Sequence, residues 1–130
     1  MAVQALEHVT IRCADLAATR DFYVGLGLVE GARPAFPFKG YWLYLGGVAV
    51  VHLVDAHDKG SAWGGEAGAA EADTGPFDHV AFRGEDFDEM RAQLAQAGLE
   101  FRERVVPGGA LSQLFVRDPD GVLVEINFRN

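Results

Sequence analysis

The sequence predicts an α+β fold in which two tandem βαβββ modules form a curved mixed sheet around a cup. Two observations carry this expectation. The strand-like run Leu6-Glu7-His8-Val9-Thr10-Ile11-Arg12 returns as Phe77-Asp78-His79-Val80-Ala81-Phe82-Arg83, with Asp15 answered by Asp86 three residues beyond each run, and the histidines stand 79 − 8 = 71 residues apart. Each copy then closes on an apolar strand with one more potential metal ligand, His52 in Val50-Val51-His52-Leu53-Val54 and Glu125 in Val122-Leu123-Val124-Glu125-Ile126. Burying an ionisable side chain in an apolar strand is unfavourable by kcal/mol unless a partner recovers the loss, and here it happens in both copies.

In the first module, 1–57, Leu6 to Arg12 alternates as a strand with one face on the core, so His8 shares a face with Thr10 and Arg12 and points away from Val9 and Ile11. Asp15 is the expected N-cap of a helix carrying Leu16, Thr19, Phe22 or Tyr23, and Leu26 at helical spacing, ended by Gly25 and Gly27. Strands are expected over 28–35, 41–45 and 48–54, separated by Pro34, Pro37 and the Gly46-Gly47 turn. A Gly- and Ala-rich linker, 58–76, follows. At that length it is either mobile or functional, for example as a lid; His57 at its edge reads as an exposed loop residue and Trp63 as a lid anchor or subunit contact.

The second module, 77–130, spells the same order. Phe77 to Arg83 is a strand, and Asp86 caps a helix with Phe87, Met90, Leu94 and Ala97 on one stripe and Gly98 at its C-terminal end. Strands are expected over 100–106, 111–116 and 122–128, with Pro107-Gly108-Gly109 and Asp118-Pro119-Asp120-Gly121 as turns.

At 130 residues with 49 % hydrophobic content, the chain is large enough for one domain, 1–130, with a core that needs no disulfide. The single cysteine, Cys13, cannot bridge within the chain and reads as a small buried strand residue of a reducing compartment, so a cytoplasmic protein is expected. No run of apolar residues reaches the roughly 18 of a membrane span. A net charge of −8 repels phosphate backbones and argues against nucleic acid as a partner.

His8, His79 and Glu125 supply two imidazoles and one carboxylate, a set suited to a divalent first-row ion with open positions, and His52 would be a fourth ligand. The ion would also offset the burial of Glu125. Arg12 and Arg83 recur on the histidine face, either meeting Asp15 and Asp86 or holding an anionic substrate group. Trp42, Tyr44, Gln113 and Phe115 fall on strands that should line the cup, where they either pack the sheet or touch substrate.

The chain resembles the vicinal oxygen chelate superfamily of glyoxalase I, extradiol dioxygenases, methylmalonyl-CoA epimerase and the fosfomycin and bleomycin resistance proteins. The resemblance runs from Leu6 to Phe128. It rests on Leu6-Glu7-His8-Val9, Arg20-Asp21-Phe22-Tyr23 with Leu26-Gly27-Leu28, Asp78-His79-Val80-Ala81-Phe82, and Asp118-Pro119-Asp120-Gly121 with Val124-Glu125-Ile126. It implies a glyoxalase-like fold with one divalent metal (Ni, Zn, Co, Mn or Fe(II)) at His8, His79 and Glu125, and position 52 as the variable fourth ligand. His52 differs from the glutamate that the resemblance places there in glyoxalase I. It further implies a homodimer, with the metal site either within one chain or shared between subunits; in a shared site His8 and His52 of one chain meet His79 and Glu125 of another.

The leading functional expectation is a lyase or isomerase acting on a small substrate with vicinal oxygens, with Glu125 as ligand and proton shuttle beside His52. The alternatives are a ferrous extradiol-type dioxygenase in which His52 is an acid or base, and a metal-free, ligand-sequestering protein of the bleomycin-resistance kind.

Overall fold

The computed structural model describes residue 2, residues 4–58 and residues 74–130. The chain divides into two compact units, 1–70 and 71–130. The proposed lid, with Trp63 and most of the 58–76 linker, lies outside the described residues.

The first unit runs β1 (Val9–Cys13), α1 (Leu16–Leu26), β2 (Val29–Gly31), β3 (Gly40–Leu45) and β4 (Val48–Asp55), and its sheet has the order β1-β4-β3-β2. The Asp15 carboxylate accepts the Ala18 amide at 3.1 Å and starts α1. Gly27, at φ 115°, ends it, with the Leu28 amide donating back to the Tyr23 carbonyl at 3.1 Å. Gly25 lies inside α1 and ends nothing, because the helical ladder continues past it to Leu26.

Two expected strands are shorter than the sequence pattern. β1 begins at Val9 because its parallel ladder with β4 opens at the Val9–Val51 pair, so Leu6 is left exposed. β2 stops at Gly31: among the described residues its only neighbour is β3, and Pro34 and Pro37 have no amide hydrogens to extend the ladder. The core of this unit is Ile11, Cys13, Thr19, Tyr23, Leu43, Val51 and Leu53, and Cys13 is fully buried as its strand position requires.

The second unit repeats the plan with β5 (His79–Arg83), α2 (Phe87–Gln96), β6 (Phe101–Val105), β7 (Leu111–Arg117) and β8 (Leu123–Arg129), in the order β5-β8-β7-β6. Asp86 caps α2 from the left-handed region at φ 62°, a conformation that Asp tolerates better than most residues, and accepts the Glu89 amide at 3.1 Å. Leu114, Val116, Val124, Ile126 and Phe128 turn to the core beside Leu94 of α2, while Phe87 meets Phe128 edge to face. The Asp118-Pro119-Asp120-Gly121 turn is locked by Asp118, buried, whose Oδ1 accepts the amides of Asp120 (2.8 Å) and Val122 (2.9 Å).

In both units the first strand pairs in parallel with the last, so β4 with His52 adjoins β1, which His8 immediately precedes, and β8 with Glu125 adjoins β5 with His79. Cα partners share a face, which fixes which side chains can meet. On β8, Leu123, Glu125, Asn127 and Arg129 face away from the Val124–Ile126–Phe128 core side, and His79, Ala81 and Arg83 of β5 lie opposite the first three on the same face.

Candidate metal centre

In the second unit, the sheet brings His79 and Glu125 together: His79 Nε2 lies 3.4 Å from Glu125 Oε1. The outer atoms of both groups are already engaged. His79 Nδ1 donates to Asp78 Oδ2 at 2.7 Å, which leaves the lone pair of the neutral ring on Nε2. Asn127 Nδ2 donates to Glu125 Oε2 at 2.8 Å, which leaves Oε1 for another partner. Two ligand atoms each about 2.1 Å from one ion at a near-tetrahedral angle lie about 3.4 Å apart, so this pair fits a shared divalent cation. A carboxylate behind a ligating imidazole is the usual outer support of such a site.

The support continues across the sheet. Gln113 Nε2 donates to Asn127 Oδ1 at 2.9 Å, and Arg104 donates from Nε and Nη2 to Gln113 Oε1 at 2.9 and 2.7 Å. Arg104, Gln113 and Asn127 occupy one cross-strand row over β6, β7 and β8, so the chain of hydrogen bonds follows from register. Its effect is to hold Glu125 in one orientation and to place a cation at the far end. The guanidinium also lies 5.3 Å above the ring of Phe115.

In the first unit His8, immediately ahead of β1, stacks on His52 at 3.7 Å and 14°, and His52 stacks in turn on Trp42 at 3.9 Å and 9°. His52 Nε2 donates to the Ala49 carbonyl at 3.1 Å. Burial, then the neighbouring His8, holds the His52 pKa below its ordinary 6.5 and so favours the neutral ring. Imidazole lone pairs lie in the ring plane, and nearly parallel planes do not intersect near the stack. In this stacked arrangement one ion meets His8 or His52, not both. Glu7 Oε1 stands 3.3 Å from His8 Nδ1 without hydrogen-bond alignment, so that buried nitrogen lacks a hydrogen-bond partner among the described residues.

The remaining predicted positions divide by unit. Arg12 is exposed on the His52 face of β1. Trp42 is the end of the ring stack, whereas Tyr44 packs on Gly31 and donates its hydroxyl to the Ala32 carbonyl. Gln113 is buried in the relay to Glu125, and Phe115 stands opposite Glu125 in register. Among the described residues no three His, Cys, Asp or Glu side chains gather as a metal-holding group. The sequence reading gave Asp78, Asn127 and Arg104 no role. Asp78 had a signal, since an acid precedes the histidine in both copies, and Asn127 had its parity with Glu125; Arg104 had none, because only register relates it to the others.

Residues 5–126 match the Glyoxalase/Bleomycin resistance protein/Dioxygenase superfamily. The chain belongs to this superfamily. A glyoxalase-superfamily relative, "Glyoxylase I 4" of Arabidopsis thaliana, is 29% identical over 127 residues, which span 94% of this chain and 69% of that protein. The same fold occurs in a glyoxalase/dioxygenase from Nostoc punctiforme (TM-score 0.75, 20% identity, 100% of this chain and 98% of that one). It occurs again in an antibiotic binding protein from a Streptomyces species (TM-score 0.72, 21% identity, 100% and 99%). Such low identities establish shared architecture, and members of one fold perform unrelated tasks.

Proposed function

We propose that this glyoxalase-superfamily protein is a divalent-metal-dependent lyase or isomerase for a small substrate with adjacent oxygens. The observation that carries the reading is the His79–Glu125 pair, 3.4 Å apart, with both outer atoms held by Asp78 and Asn127. His8, His79 and Glu125 would hold the ion, with His52 as the fourth ligand once its stack with His8 opens, and a second copy of the chain would contribute one half of the set. When bound, the ion would supply charge stabilisation for an oxyanion developing on the substrate. His79 presents Nε2 because Asp78 holds Nδ1. Glu125 presents Oε1 and is the group placed to take and return a proton, and the neutral His52 ring would be a second acceptor wherever it stays off the ion. Trp42 covers one face of the His52 ring and keeps water from it.

A second reading has its own support. With Nε2 donating to Ala49 and both faces stacked, His52 stays off the ion, and His8, His79 and Glu125 alone form the two-histidine, one-carboxylate set of ferrous oxygenases.

Elemental analysis of protein purified without chelator tests both. About one divalent ion per expected site is the result that fits either enzyme reading; iron with oxygen uptake on catechols selects the dioxygenase, and nickel, zinc, cobalt or manganese selects the isomerase. His79→Ala should abolish retention. Asn127→Ala should weaken metal affinity about 10- to 100-fold, the usual effect of losing an outer support. Unchanged metal content in His79→Ala overturns the metal centre and leaves ligand sequestration.

A further inference from the structure

The second unit contains six arginines and no lysine. Arg91, on α2, pairs with Asp88 and Glu103. The other five, Arg83, Arg102, Arg104, Arg117 and Arg129, fall by register on the one sheet face that carries His79 and Glu125. Among the described residues none of the five has a carboxylate within ion-pair distance, and all five are exposed. In a chain of net charge −8, that concentration of unpaired positive charge around the candidate centre is the opposite of the molecule's overall field.

Two of these arginines line a groove of about 750 Å³ together with Leu99, Glu100, Phe101, Phe115, Val116 and Leu123. That volume is in the range that holds a small organic ligand. Arg102 shares a cross-strand row with Phe115 and Glu125, and Arg117 shares one with Leu123 and His79. At about 4.8 Å per strand, each arginine's backbone lies about 10 Å across the sheet from its partner in the candidate metal pair. Arg117 donates one Nη to the Gly121 carbonyl at 2.8 Å, which fixes its guanidinium and leaves other N–H groups for a ligand.

We infer that the groove is an anion subsite. The substrate carries a carboxylate or phosphate-like group held by Arg102 and Arg117, and an apolar body lying over Phe115 and Leu123. Its chelating oxygens reach toward His79 and Glu125 on the neighbouring strands. This deepens the proposed reaction and rests on it for the orientation of the substrate, but the subsite itself needs no metal. Guanidinium groups bind carboxylate and phosphoryl oxygens in pairs, and the apolar floor selects an anion with a hydrocarbon body over inorganic phosphate.

The test uses chelator-treated full-length protein, with benzoate and phenylphosphonate as probes and benzamide as the uncharged counterpart, followed by the nitrogen and amide resonances of Arg102, Phe115 and Arg117. Both anions should shift these resonances saturably, and benzamide should bind at least about tenfold more weakly. Arg102→Gln or Arg117→Gln should weaken anion binding about tenfold or more, while Arg83→Gln and His79→Ala leave it within about twofold. Benzamide binding as well as benzoate, or Arg83→Gln weakening the anions as much as Arg102→Gln, overturns the subsite. Anion binding in a protein that retains no metal sinks the metal reading alone, and metal retention without anion binding sinks the subsite alone.

Discussion

His52 shows how one residue's chemistry is set by what touches it. Its position in an apolar strand was legible, but a ring pressed between His8 and Trp42 was not, since stacking depends on which strands are neighbours. Because burial and His8 lower its pKa from 6.5, the folded protein favours the neutral ring. The stability this contributes is present above pH 6.5 and is lost as pH falls through the lowered folded-state value. In chelator-treated protein, wild type should therefore lose stability between about pH 7 and pH 5 more steeply than His52→Gln. Denaturant titrations at several pH values check this, and parallel profiles for the two proteins would refute it. Glu125 teaches a complementary lesson: its place in an apolar strand, where it is partly buried, was visible in the sequence, whereas the Asn127–Gln113–Arg104 relay behind it required the register of three strands.

At the level of elements, caps and turns were the most legible, because they act over a few residues. Asp15, Asp86, Gly27 and Asp118 do locally what their residue types allow. Strand ends were less so: Leu6 and Phe77 continue the apolar alternation of their strands yet remain exposed, since the pairing partner sets where a ladder begins. Close packing between elements was also invisible. Gly84, just after β5, donates its amide to the Asn127 carbonyl, and a Cβ there would meet Phe128 Cε1 at 2.7 Å and Ile126 Cγ2 at 2.8 Å. Both neighbours belong to the packed core, so Gly84→Ala should destabilise by about 1–3 kcal/mol through overpacking. Thermal or urea unfolding measures this, and a variant as stable as wild type would show that β8 shifts freely.

For the molecule as a whole, each unit has its own sheet, helix and core, and no helix among the described residues is long and apolar enough to cross a membrane. A divalent ion bound as proposed would stabilise the folded protein by about 2.7 kcal/mol at a free concentration 100 times its dissociation constant. The melting temperature should rise on adding nickel or zinc, and His8→Ala and His79→Ala should each remove the rise. A rise that survives His8→Ala would confine the ion to the second unit. The sequence by itself determined the fold class and the tandem repeat, and it singled out the four residues proposed here as ligands, because periodicity, caps and an internal repeat are properties of chain order. Only the tertiary structure decided that His79 and Glu125 meet at ligand distance, that His8 and His52 stack, and that five arginines share one sheet face. Register joins residues tens of positions apart, and no local pattern along the chain encodes which of them will be neighbours.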